Sequence, residues 1–429
     1  MAREMKDSGL EWVGNIPENW EIKRNKTLFV EINERCERGN DYTLLSVSEY
    51  TGVTPRASVI KEGEYETHAE TLDGYKICKA GDIVMNIMLA WKRATAASSY
   101  EGIISPAYCV YRGLEVDSKY YHYLFRTDNC ADMFKRYSTG IIDSRLRLYP
   151  DVFLSLKSIV PPLSEQHRIS SFLDTECARI DSVIEKTRAS IEEYKKLKQA
   201  VITQAVTKGI RPGREMKDSG VEWIGEIVSD YQLVKLKHLL RHQLQYGANQ
   251  SGVPYDELLP RYIRITDITL DGRLKGTGKL SLSEEDANDY ILQDGDVLFA
   301  RSGATVGKAF IYKKEYGRAA FAGYLIKATL NGELLPDLLF YYTQSSIYDE
   351  WKKQIFVQAT IQNIGADRYR ELPIILHPPE EQREIVSYLA TKCSEIDSLI
   401  RKKEFLLNEF DSCKKSLIFE YVTGKKEVP

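Results

Sequence analysis

The stretch GATVGKA at 303–309 is the part of the sequence closest to a phosphate-binding loop. A loop of the Walker A type needs four residues between its glycines, then a lysine and a Ser or Thr that binds Mg²⁺. Here three residues separate Gly303 from Gly307, and Ala309 stands where the hydroxyl should be. We therefore reject nucleotide binding at this stretch.

Other catalytic constellations are also missing from the sequence. It contains no GxGxxG, HExxH or GxSxG pattern, and no Asn-Pro-Pro-aromatic signature of amino-methyltransferases. One class of nuclease has a Pro-Asp pair followed by an acid-x-Lys motif. Pro150-Asp151 and Pro336-Asp337 are not followed at short range by such a motif. The six histidines and seven cysteines show no zinc-ligand spacing. We expect a non-catalytic chain with no metal and no cofactor of its own.

Length and composition indicate an ordinary globular protein of more than one domain. The chain has 429 residues, 43% of them hydrophobic and 28% charged, and domains usually contain about 100 to 200 residues. No apolar run approaches the roughly 20 residues of a membrane span, and the N-terminus has no apolar signal segment, so we expect a cytoplasmic protein. The odd cysteine count argues for reduced thiols. Because the net charge is -3, any nucleic-acid binding must come from local basic surface.

The sequence is internally duplicated. REMKDSGLEWVG at 3–14 returns as REMKDSGVEWIG at 214–225, with only Leu10→Val221 and Val13→Ile224 changed. PLSEQHRISSFLDTECARIDSVI at 162–184 likewise aligns with PPEEQREIVSYLATKCSEIDSLI at 378–400. Between these anchors the halves share little, so the order is variable module, shared segment, variable module, shared segment. We place the boundaries at 1–160, 161–211, 212–377 and 378–429.

Each later shared segment has the pattern of a long amphipathic helix. The proline pairs Pro161-Pro162 and Pro378-Pro379 precede them. Ser164 offers an N-cap with Glu165 in the first turn, and no Pro or Gly interrupts either run before Gly209 and Gly424. About 40 residues at about 1.5 Å each give a rod of roughly 60 Å. Two such stripes can cover each other as an antiparallel coiled coil, which could also be their whole purpose. The residues predicted to pack the helix pair are Ile169, Leu173, Ile180, Ile184, Ile191, Tyr194, Leu197, Ile385, Leu389, Ile396, Ile400, Leu407, Phe410 and Leu417.

The variable modules combine strand and helix patterns. Short β-type runs are bounded by Gly, Asp or Pro: YTLLSVSEY, DIVMNIM and AYCVYR in the first module, RYIRITDITL, GDVLFAR and GKAFIYKK in the second. KYYHYLFRTDNCADMFKRY and LLPDLLFYYTQSSIYDEWKKQ have a helical pattern. The expected fold class is α+β, with two mixed α/β modules joined by two long antiparallel helices in a pseudo-twofold duplication.

These features together resemble the specificity subunits of type I restriction-modification systems. The resemblance is carried by the doubled SG-EW-G opening, the Pro-Pro-x-x-Glu-Gln helix entry, the ID-LI core, the VTG-type ending, and by RYIRITDI, GDVLFARSGATVGK and IQNIGADRYRELPI in the second half. It covers essentially the whole chain, and the pairing is more specific than any one motif. The first opening segment continues as NIPENW and the second as EIVSDY, so the local turn differs between the copies.

The resemblance implies two target-recognition domains, each reading one half of a bipartite asymmetric site in double-stranded DNA. The helices would fix the spacing and dock two methyltransferase subunits that methylate adenine, and restriction/translocase subunits would join for cleavage. S-adenosylmethionine, ATP and Mg²⁺ would be bound by those partners. Modules that differ in sequence would read different bases, while the repeated segments would make equivalent joints. On this basis we also expect the first opening segment to pack beside the end of the second helix.

Loops rich in Arg, Lys, Asn and Gln are the candidates for DNA contact, because these side chains read base edges and bind phosphates. The matching placement of the two sets within their modules favours them, although exposed Arg and Lys are common on any surface and the glycines could mark a structural turn only. In the first module they are Lys92, Arg93, Arg145 and Arg147, and in the second Arg301, Ser302, Thr305, Lys308, Gln358, Thr360, Gln362 and Asn363.

Two alternatives stay open from the sequence. The same scaffold could serve a fused methyltransferase-nuclease partner, which leaves the role of this chain unchanged. It could instead be a coiled-coil adaptor whose modules bind protein, which the net acidity favours slightly and the paired variable modules disfavour.

Overall fold

The structure is a computed structural model that describes residues 3–59, 71–142, 145–269, 272–303, 306–357 and 363–429. The chain divides into two units. The first unit combines Met1–Thr187 with Phe405–Pro429, and the second is Arg188–Glu404. Each long helix contributes its two parts to different units.

The first unit holds small antiparallel sheets and short helices ahead of a long helix. Its strands are β1 (Met5–Asp7), β2 (Asn15–Pro17), β3 (Glu21–Arg24), β4 (Phe29–Ile32), β5 (Leu45–Ser48), β6 (Gly52–Pro55), β7 (Lys76–Cys78), β8 (Ile83–Asn86), β9 (Thr95–Ala97), β10 (Gly102–Ile104), β11 (Tyr108–Gly113) and β12 (Lys157–Val160). Its helices are α1 (Ser118–Phe125), α2 (Asp128–Tyr137), α3 (Pro150–Ser155) and the beginning of α4 (Leu163–Lys208).

The second unit begins and ends with strands that pair as those of the first unit do, and it also has twelve strands in its described part. They are β13 (Met216–Asp218), β14 (Glu226–Val228), β15 (Gln232–Lys235), β16 (Gln245–Tyr246), β17 (Val253–Pro254), β18 (Arg261–Ile263), β19 (Leu280–Ser281), β20 (Val297–Ala300), β21 (Ala309–Ile311), β22 (Ala319–Phe321), β23 (Leu325–Ala328) and β24 (Pro373–Leu376). The helices are α5 (Glu284–Ala287), α6 (Pro336–Tyr342), α7 (Ser346–Val357), α8 (Ala366–Arg370) and α9 (Pro379–Val422).

Each unit is built around one four-stranded antiparallel sheet. The strand order is β4-β11-β8-β9 in the first unit and β16-β23-β20-β21 in the second. All four residues of β8 and of β20 are buried, as expected for central strands. The second unit adds the sheet β17-β19-β18-β22, in which β18 and β22 run parallel. All six predicted strand stretches contain strands, and both predicted helical stretches contain helices.

The two long helices run antiparallel within each unit. In the first unit the rings of Phe172 and Tyr421 lie 4.6 Å apart, and Lys414 Nζ lies 2.6 Å from Asp181 Oδ1, so advancing along α4 means going back along α9. In the second unit Lys198 Nζ lies 2.8 Å from Asp397 Oδ1, and Lys403 lies over the Tyr194 ring. The predicted fold class, mixed α/β modules with two long antiparallel helices, is confirmed.

The predicted helix-packing residues fall into three groups. Ile169 and Leu173 are buried in the core of the first unit, and Ile385 and Leu389 in that of the second, so they contact the globular part as well as the other helix. Ile184, Ile191 and Ile396 are buried too. The half-buried members are Ile180, Tyr194, Ile400, Leu407, Phe410 and Leu417.

Two details of the helix prediction are wrong. Leu197 is 48% exposed, because the apolar stripe of α4 is wider than the area that the rest of the protein covers at this point. Ser164 lies inside the first turn of α4, which begins at Leu163, so it is not the N-cap. The backbone N–H groups of Glu165 and Gln166 both donate to the carbonyl of Pro162, which starts the helical ladder.

The repeated opening segment forms the same joint in both units. Trp20 Nε1 donates to Glu165 Oε2 at 2.9 Å, and Arg3 lies 2.6 Å from Glu165 Oε1 and 5.4 Å from the Trp20 ring centroid. In the second unit Tyr231 donates its hydroxyl to Glu381 Oε1 at 2.5 Å. Arg214 completes that set, 3.2 Å from Glu381 and 5.9 Å from the Tyr231 ring centroid. The Glu of each Glu-Gln pair therefore binds the opening segment to the start of a long helix.

The Gln of each pair fixes a second element to the same helix start. Gln166 accepts from the backbone N–H of Asp117, the N-cap of α1, and donates to the carbonyl of Pro161. Gln382 accepts from the N–H of Leu335, the N-cap of α6, and donates to the carbonyl of His377. Buried amides with both ends satisfied specify one packing arrangement. The short motif thus positions the module on its helix in both copies.

The long helices end under the same joints. Gly209 and Gly424 have φ angles of +69° and +72°, a conformation that favours glycine after a helix. A Cβ at Gly209 would collide with the Tyr231 hydroxyl, and one at Gly424 would lie 2.9 Å from the Trp20 ring. The first opening segment therefore does pack beside the end of the second helix, as expected.

No helix in the described part of the chain is long and apolar enough to cross a membrane. Six of the seven cysteines are buried as free thiols, and Cys413 is exposed.

Candidate nucleic-acid interface

The predicted contact loops leave the central strand at equivalent places in the two units. In the first unit the N–H of Leu148 donates to the carbonyl of Ile87, one residue beyond β8, at 2.9 Å. In the second the N–H of Ile364 donates to the carbonyl of Arg301, one residue beyond β20, at 2.8 Å. The loop that carries Arg147 therefore corresponds to the one that carries Asn363.

The turn after each central strand is closed by an equivalent backbone hydrogen bond in the two units. The N–H of Asn86 donates to the carbonyl of Ala94 at 3.0 Å, and that of Ala300 to the carbonyl of Lys308 at 2.8 Å. Arg93 therefore corresponds to Gly307. Both are left-handed, with φ of +67° for Arg93 and +83° for Gly307. A non-glycine residue rarely adopts this conformation unless its surroundings hold it there.

Arg126 provides the contacts that hold Arg93 in place. Its Nη1 donates to the carbonyl of Arg93 at 2.8 Å, and its Nη2 to that of Glu49 at 2.9 Å. Longer bonds reach the carbonyls of Ser48 and Tyr50, both at 3.2 Å. Burial lowers the pKa of this guanidinium to about 10, and repulsion from Arg93 adds to the effect. Arg126 remains a cation and ties the 48–51 loop to the turn at 92–94.

Two lysines of this region lie over one indole ring. Lys92 Nζ is 5.1 Å and Lys135 Nζ 4.9 Å from the ring centroid of Trp91, whose Nε1 donates to the carbonyl of Met88. Lys92 is exposed, and Trp91 is only partly buried rather than part of the core. Arg93 forms an ion pair with Asp128 at 2.7 Å. Arginine and lysine around an accessible aromatic ring are groups that bind phosphates and stack on bases.

Arg145 and Arg147 are exposed on a short hairpin. The N–H of Thr139 donates to the carbonyl of Arg147, and the N–H of Arg147 donates to the carbonyl of Thr139, both at 3.0 Å. The hairpin is anchored by Leu148, which is fully buried. Both arginines therefore project from a fixed backbone at the same strand end as the Lys92–Arg93 turn.

The second unit brings Arg301, Ser302 and Asn363 together. Ser302 and Asn363 form an isolated antiparallel bridge. The guanidinium carbon of Arg301 lies 4.9 Å from the ring centroid of Tyr246, and the Tyr246 hydroxyl accepts from the N–H of Ala366. Tyr324, whose carbonyl accepts from the N–H of Arg301, is 63% exposed beside this group. These residues form a compact polar and aromatic surface.

Lys308 does not share that exposure. Its Nζ is covered by surrounding atoms and has no hydrogen-bond partner among the described residues, and burial together with Lys352 lowers its pKa. A phosphate contact through this amine would require the side chain to move, so the structure gives no support to Lys308 as a surface contact. The remaining predicted residues lie outside the described part of the chain: Thr305, Gln358, Thr360 and Gln362.

Several residues of this surface were not predicted from the sequence. Arg126 lies in a helical stretch that gave no sign of its four carbonyl contacts. Tyr50, Tyr246 and Tyr324 lie in unrelated segments, and only the fold places them beside Arg93 or Arg301. An exposed aromatic residue near a cation has no local sequence pattern, so no signal in the sequence could have found them.

Comparison with known proteins connects this geometry with a family. Residues 262–407 match the type I restriction modification DNA specificity domain. That segment contains Arg301, Ser302 and Asn363. The resemblance to type I specificity subunits is confirmed. The match covers the second unit from residue 262 onward and includes no residue of 1–187 in the first unit.

Curated relatives and solved structures agree with this assignment. The chain is 24% identical over 272 residues to the type I restriction enzyme EcoKI specificity subunit of Escherichia coli (strain K12), and 22% identical over 276 residues to the StySPI specificity subunit of Salmonella potsdam. Each alignment covers 62% of this chain but only 57% of the relative.

The fold is similar to that of solved chains along nearly its whole length. A chain from a study of complex assembly and conformational transition of the type I R-M system aligns with a TM-score of 0.73 at 17% identity, over 96% of this chain and 99% of its own. The HsdS subunit from Thermoanaerobacter tengcongensis aligns with a TM-score of 0.51 at 16% identity, over 98% and 100%. At these identities the likeness shows the fold.

Proposed function

We propose that this chain is the non-catalytic DNA-recognition subunit of a type I restriction-modification complex acting in the cytoplasm. Each unit reads one half of a bipartite, asymmetric site in double-stranded DNA. The long helices set the separation of the halves and dock two methyltransferase subunits that methylate adenine, and restriction/translocase subunits join for cleavage. The chemistry, with S-adenosylmethionine, ATP and Mg²⁺, belongs to those partners.

One observation carries the proposal: the segment that matches a DNA specificity domain contains the Arg301, Ser302 and Asn363 surface at the end of β20. The first unit has equivalent backbone hydrogen bonds after β8, from Asn86 to Ala94 and from Leu148 to Ile87, and carries different side chains there: Lys92, Arg93, Arg145 and Arg147. Equivalent backbones with unlike side chains are what two readers of unlike half-sites require, since base choice depends on side chains and position depends on backbone.

The test is a module exchange in the assembled complex. The chain is co-expressed with the methyltransferase subunits of its host, and methylated adenines are mapped in the host genome. Residues 236–372 are then replaced by the corresponding stretch of a related specificity subunit. We expect one half of the methylated site to change while the other half and the spacer stay the same.

Two results would contradict the proposal. If both halves of the target changed, one unit would not be responsible for one half-site. If the wild-type complex formed but neither bound nor methylated DNA, the chain would be an adaptor that joins proteins, the alternative that its net acidity favours slightly.

A further inference from the structure

Asp128 joins the turn that carries Arg93 to the long helix α9. Its Oδ1 accepts a hydrogen bond from Arg93 Nη1 at 2.7 Å, and its Oδ2 lies 3.1 Å from Lys415 Nζ. Arg93 follows β8, Asp128 begins α2, and Lys415 lies in the part of α9 that belongs to the first unit. One carboxylate therefore connects a side chain of the candidate DNA surface with the helix that supports the unit.

The start of α2 does not require this carboxylate. The hydroxyl of Thr127 already caps α2, and that of Ser345 accepts from a backbone N–H at the start of α7 in the same way. Ser346 is therefore the counterpart of Asp128. An acid in the first turn stabilises any helix through the helix dipole, yet α7 forms with a hydroxyl at this position.

The other two members of the network are also uncharged at the equivalent places of the second unit. Gly307 corresponds to Arg93 through the backbone hydrogen bonds of the two turns, and Gln199 corresponds to Lys415 in the alignment of the long helices. A Cβ at Gly307 would lie 2.4 Å from Cδ of Lys352, which covers the second turn and forms its own ion pair on α7. The network of Arg93, Asp128 and Lys415 therefore belongs to the first unit and to the half-site that this unit reads.

The ion pair leaves one edge of the Arg93 guanidinium free. Asp128 bonds to Nη1, and in the part of the chain that the structure describes no acceptor is bonded to Nε or Nη2. These two N–H groups are parallel donors, and guanine presents two acceptors, N7 and O6, in the major groove. Arg126 holds the backbone of Arg93 at its carbonyl. A guanidinium fixed at both ends loses little conformational freedom on binding.

The same carboxylate makes Arg93 a weak phosphate contact. A negative charge 2.7 Å from the guanidinium offsets its attraction for phosphate and itself repels phosphate. Base reading depends on the geometry of donors and acceptors, which the ion pair improves. Lys415 binds the second carboxylate oxygen, so Asp128 can stay beside Arg93 when DNA phosphates are near.

We infer that Arg93 reads a guanine in the half-site of the first unit, and that Asp128, held in turn by Lys415, is the positioning residue that orients it. The inference depends on the proposed function, because it needs DNA on this unit. It adds the identity of one base, where the proposed function names only a half-site.

The test measures binding of the complex with its methyltransferase subunits to duplexes of the mapped target, in which each base pair of the first half-site is changed in turn. We expect one G·C pair whose replacement weakens wild-type binding about tenfold or more. Arg93→Gln should abolish the preference at that pair and keep the preferences at the others. The double variant Arg93→Gln with Asp128→Asn should show no further change in base preference, because the two residues act as one unit.

Asp128→Asn alone should reduce the preference at the same pair about three- to fivefold. Binding to non-target DNA should stay equal or become tighter, because a negative charge is lost from the surface. Lys415→Gln, which copies Gln199, should change the preference in the same direction and by less. Glu21→Gln is the matched control, since it removes the same charge from an exposed ion pair with Lys23 in this unit and should leave the base preference unchanged.

The outcomes separate this inference from the proposed function. Equal weakening on every duplex by Arg93→Gln would make Arg93 a phosphate contact and overturn the inference, with DNA recognition left intact. An Asp128→Asn complex that keeps the full preference, or that loses affinity equally for target and non-target DNA, would overturn the positioning role. Failure of the wild-type complex to bind any duplex would contradict both proposals.

Discussion

Lys425 and Val13 are joined across 412 positions of sequence: the lysine Nζ lies 3.0 Å from the backbone carbonyl oxygen of Val13. The same amine reaches the carbonyl of Asn15 at 3.2 Å. Gly424 lies against Pro17 and Trp20 next to it. The opening segment is thus bound to the end of α9 within one unit, as its copy follows the end of α4 in the other.

A circular permutant follows from this contact. Joining the C-terminus to residue 3 through a short linker and opening the chain between Gly209 and Arg214 should give a folded protein, because the new link joins segments that are already in contact through Lys425 and Val13. Circular dichroism and cooperative thermal unfolding would check this. A permutant opened inside α4, at 185–186, is the control that should fail. If the first permutant were unfolded, the contact would not be a structural joint.

Tyr231→Phe should destabilise the second unit by about 1 to 3 kcal/mol, because it leaves the buried Glu381 carboxylate with one donor fewer. Burial raises the pKa of Tyr231, so the hydroxyl stays protonated and keeps donating. Urea unfolding measures the change. Tyr324→Phe, which alters an exposed hydroxyl, should have no effect on the unfolding free energy. Equal unfolding free energies for the two variants would show that the Tyr231–Glu381 hydrogen bond does not stabilise the second unit.

Arg126→Lys should loosen the recognition surface of the first unit while leaving its core intact. Lysine has a single amine and cannot serve four carbonyls in two directions, so the 48–51 loop and the left-handed Arg93 should lose their fixed geometry. We expect faster amide hydrogen exchange at 48–51 and about tenfold weaker DNA binding. Arg179→Lys on α4, an exposed residue, is the control. Unchanged exchange at this loop would contradict the role given to Arg126.

Arg301 and Lys308 should respond differently to removal of their charge. Arg301→Gln should weaken DNA binding and reduce the salt dependence by about one phosphate contact, because Arg301 lies on the Tyr246 surface. Lys308→Met should leave binding unchanged and raise stability, because its covered amine has no partner among the described residues. Binding measured over a salt series separates them. A loss of affinity in Lys308→Met would show that this side chain moves to reach DNA.

Stability should fall as the pH drops below 6.5. Burial lowers the pKa of His377 to about 4 and that of His122 to about 3, against 6.5 for an unperturbed imidazole. Between those values the unfolded chain binds the proton and the folded chain does not, so acid favours unfolding by up to about 1.4 kcal/mol per pH unit and histidine. His377→Pro, which copies Pro161 of the first unit, should remove part of this slope between pH 6.5 and 4. An unchanged slope in urea titrations would exclude His377 as its source.

The sequence by itself determined the long helices, their antiparallel pairing and the mixed α/β modules. Apolar periodicity, prolines and glycines determine local structure. Duplicated segments in one chain must occupy equivalent environments, so each copy could be used to predict the structure of the other. The same comparison located the loops that carry Arg147 and Arg301.

Only the tertiary structure decided which parts of those surfaces are covered. Helical periodicity places Leu197 on the apolar face of α4. Whether that side chain is buried depends on what packs against it, and Leu197 stays 48% exposed. Lys308 is of a residue type that often binds phosphate, yet its amine is enclosed. Arg126 and Tyr246 acquire their surroundings from segments far away in sequence. Burial and proximity are properties of the folded chain, and for this reason the sequence predicted where the loops begin but not which side chains they present.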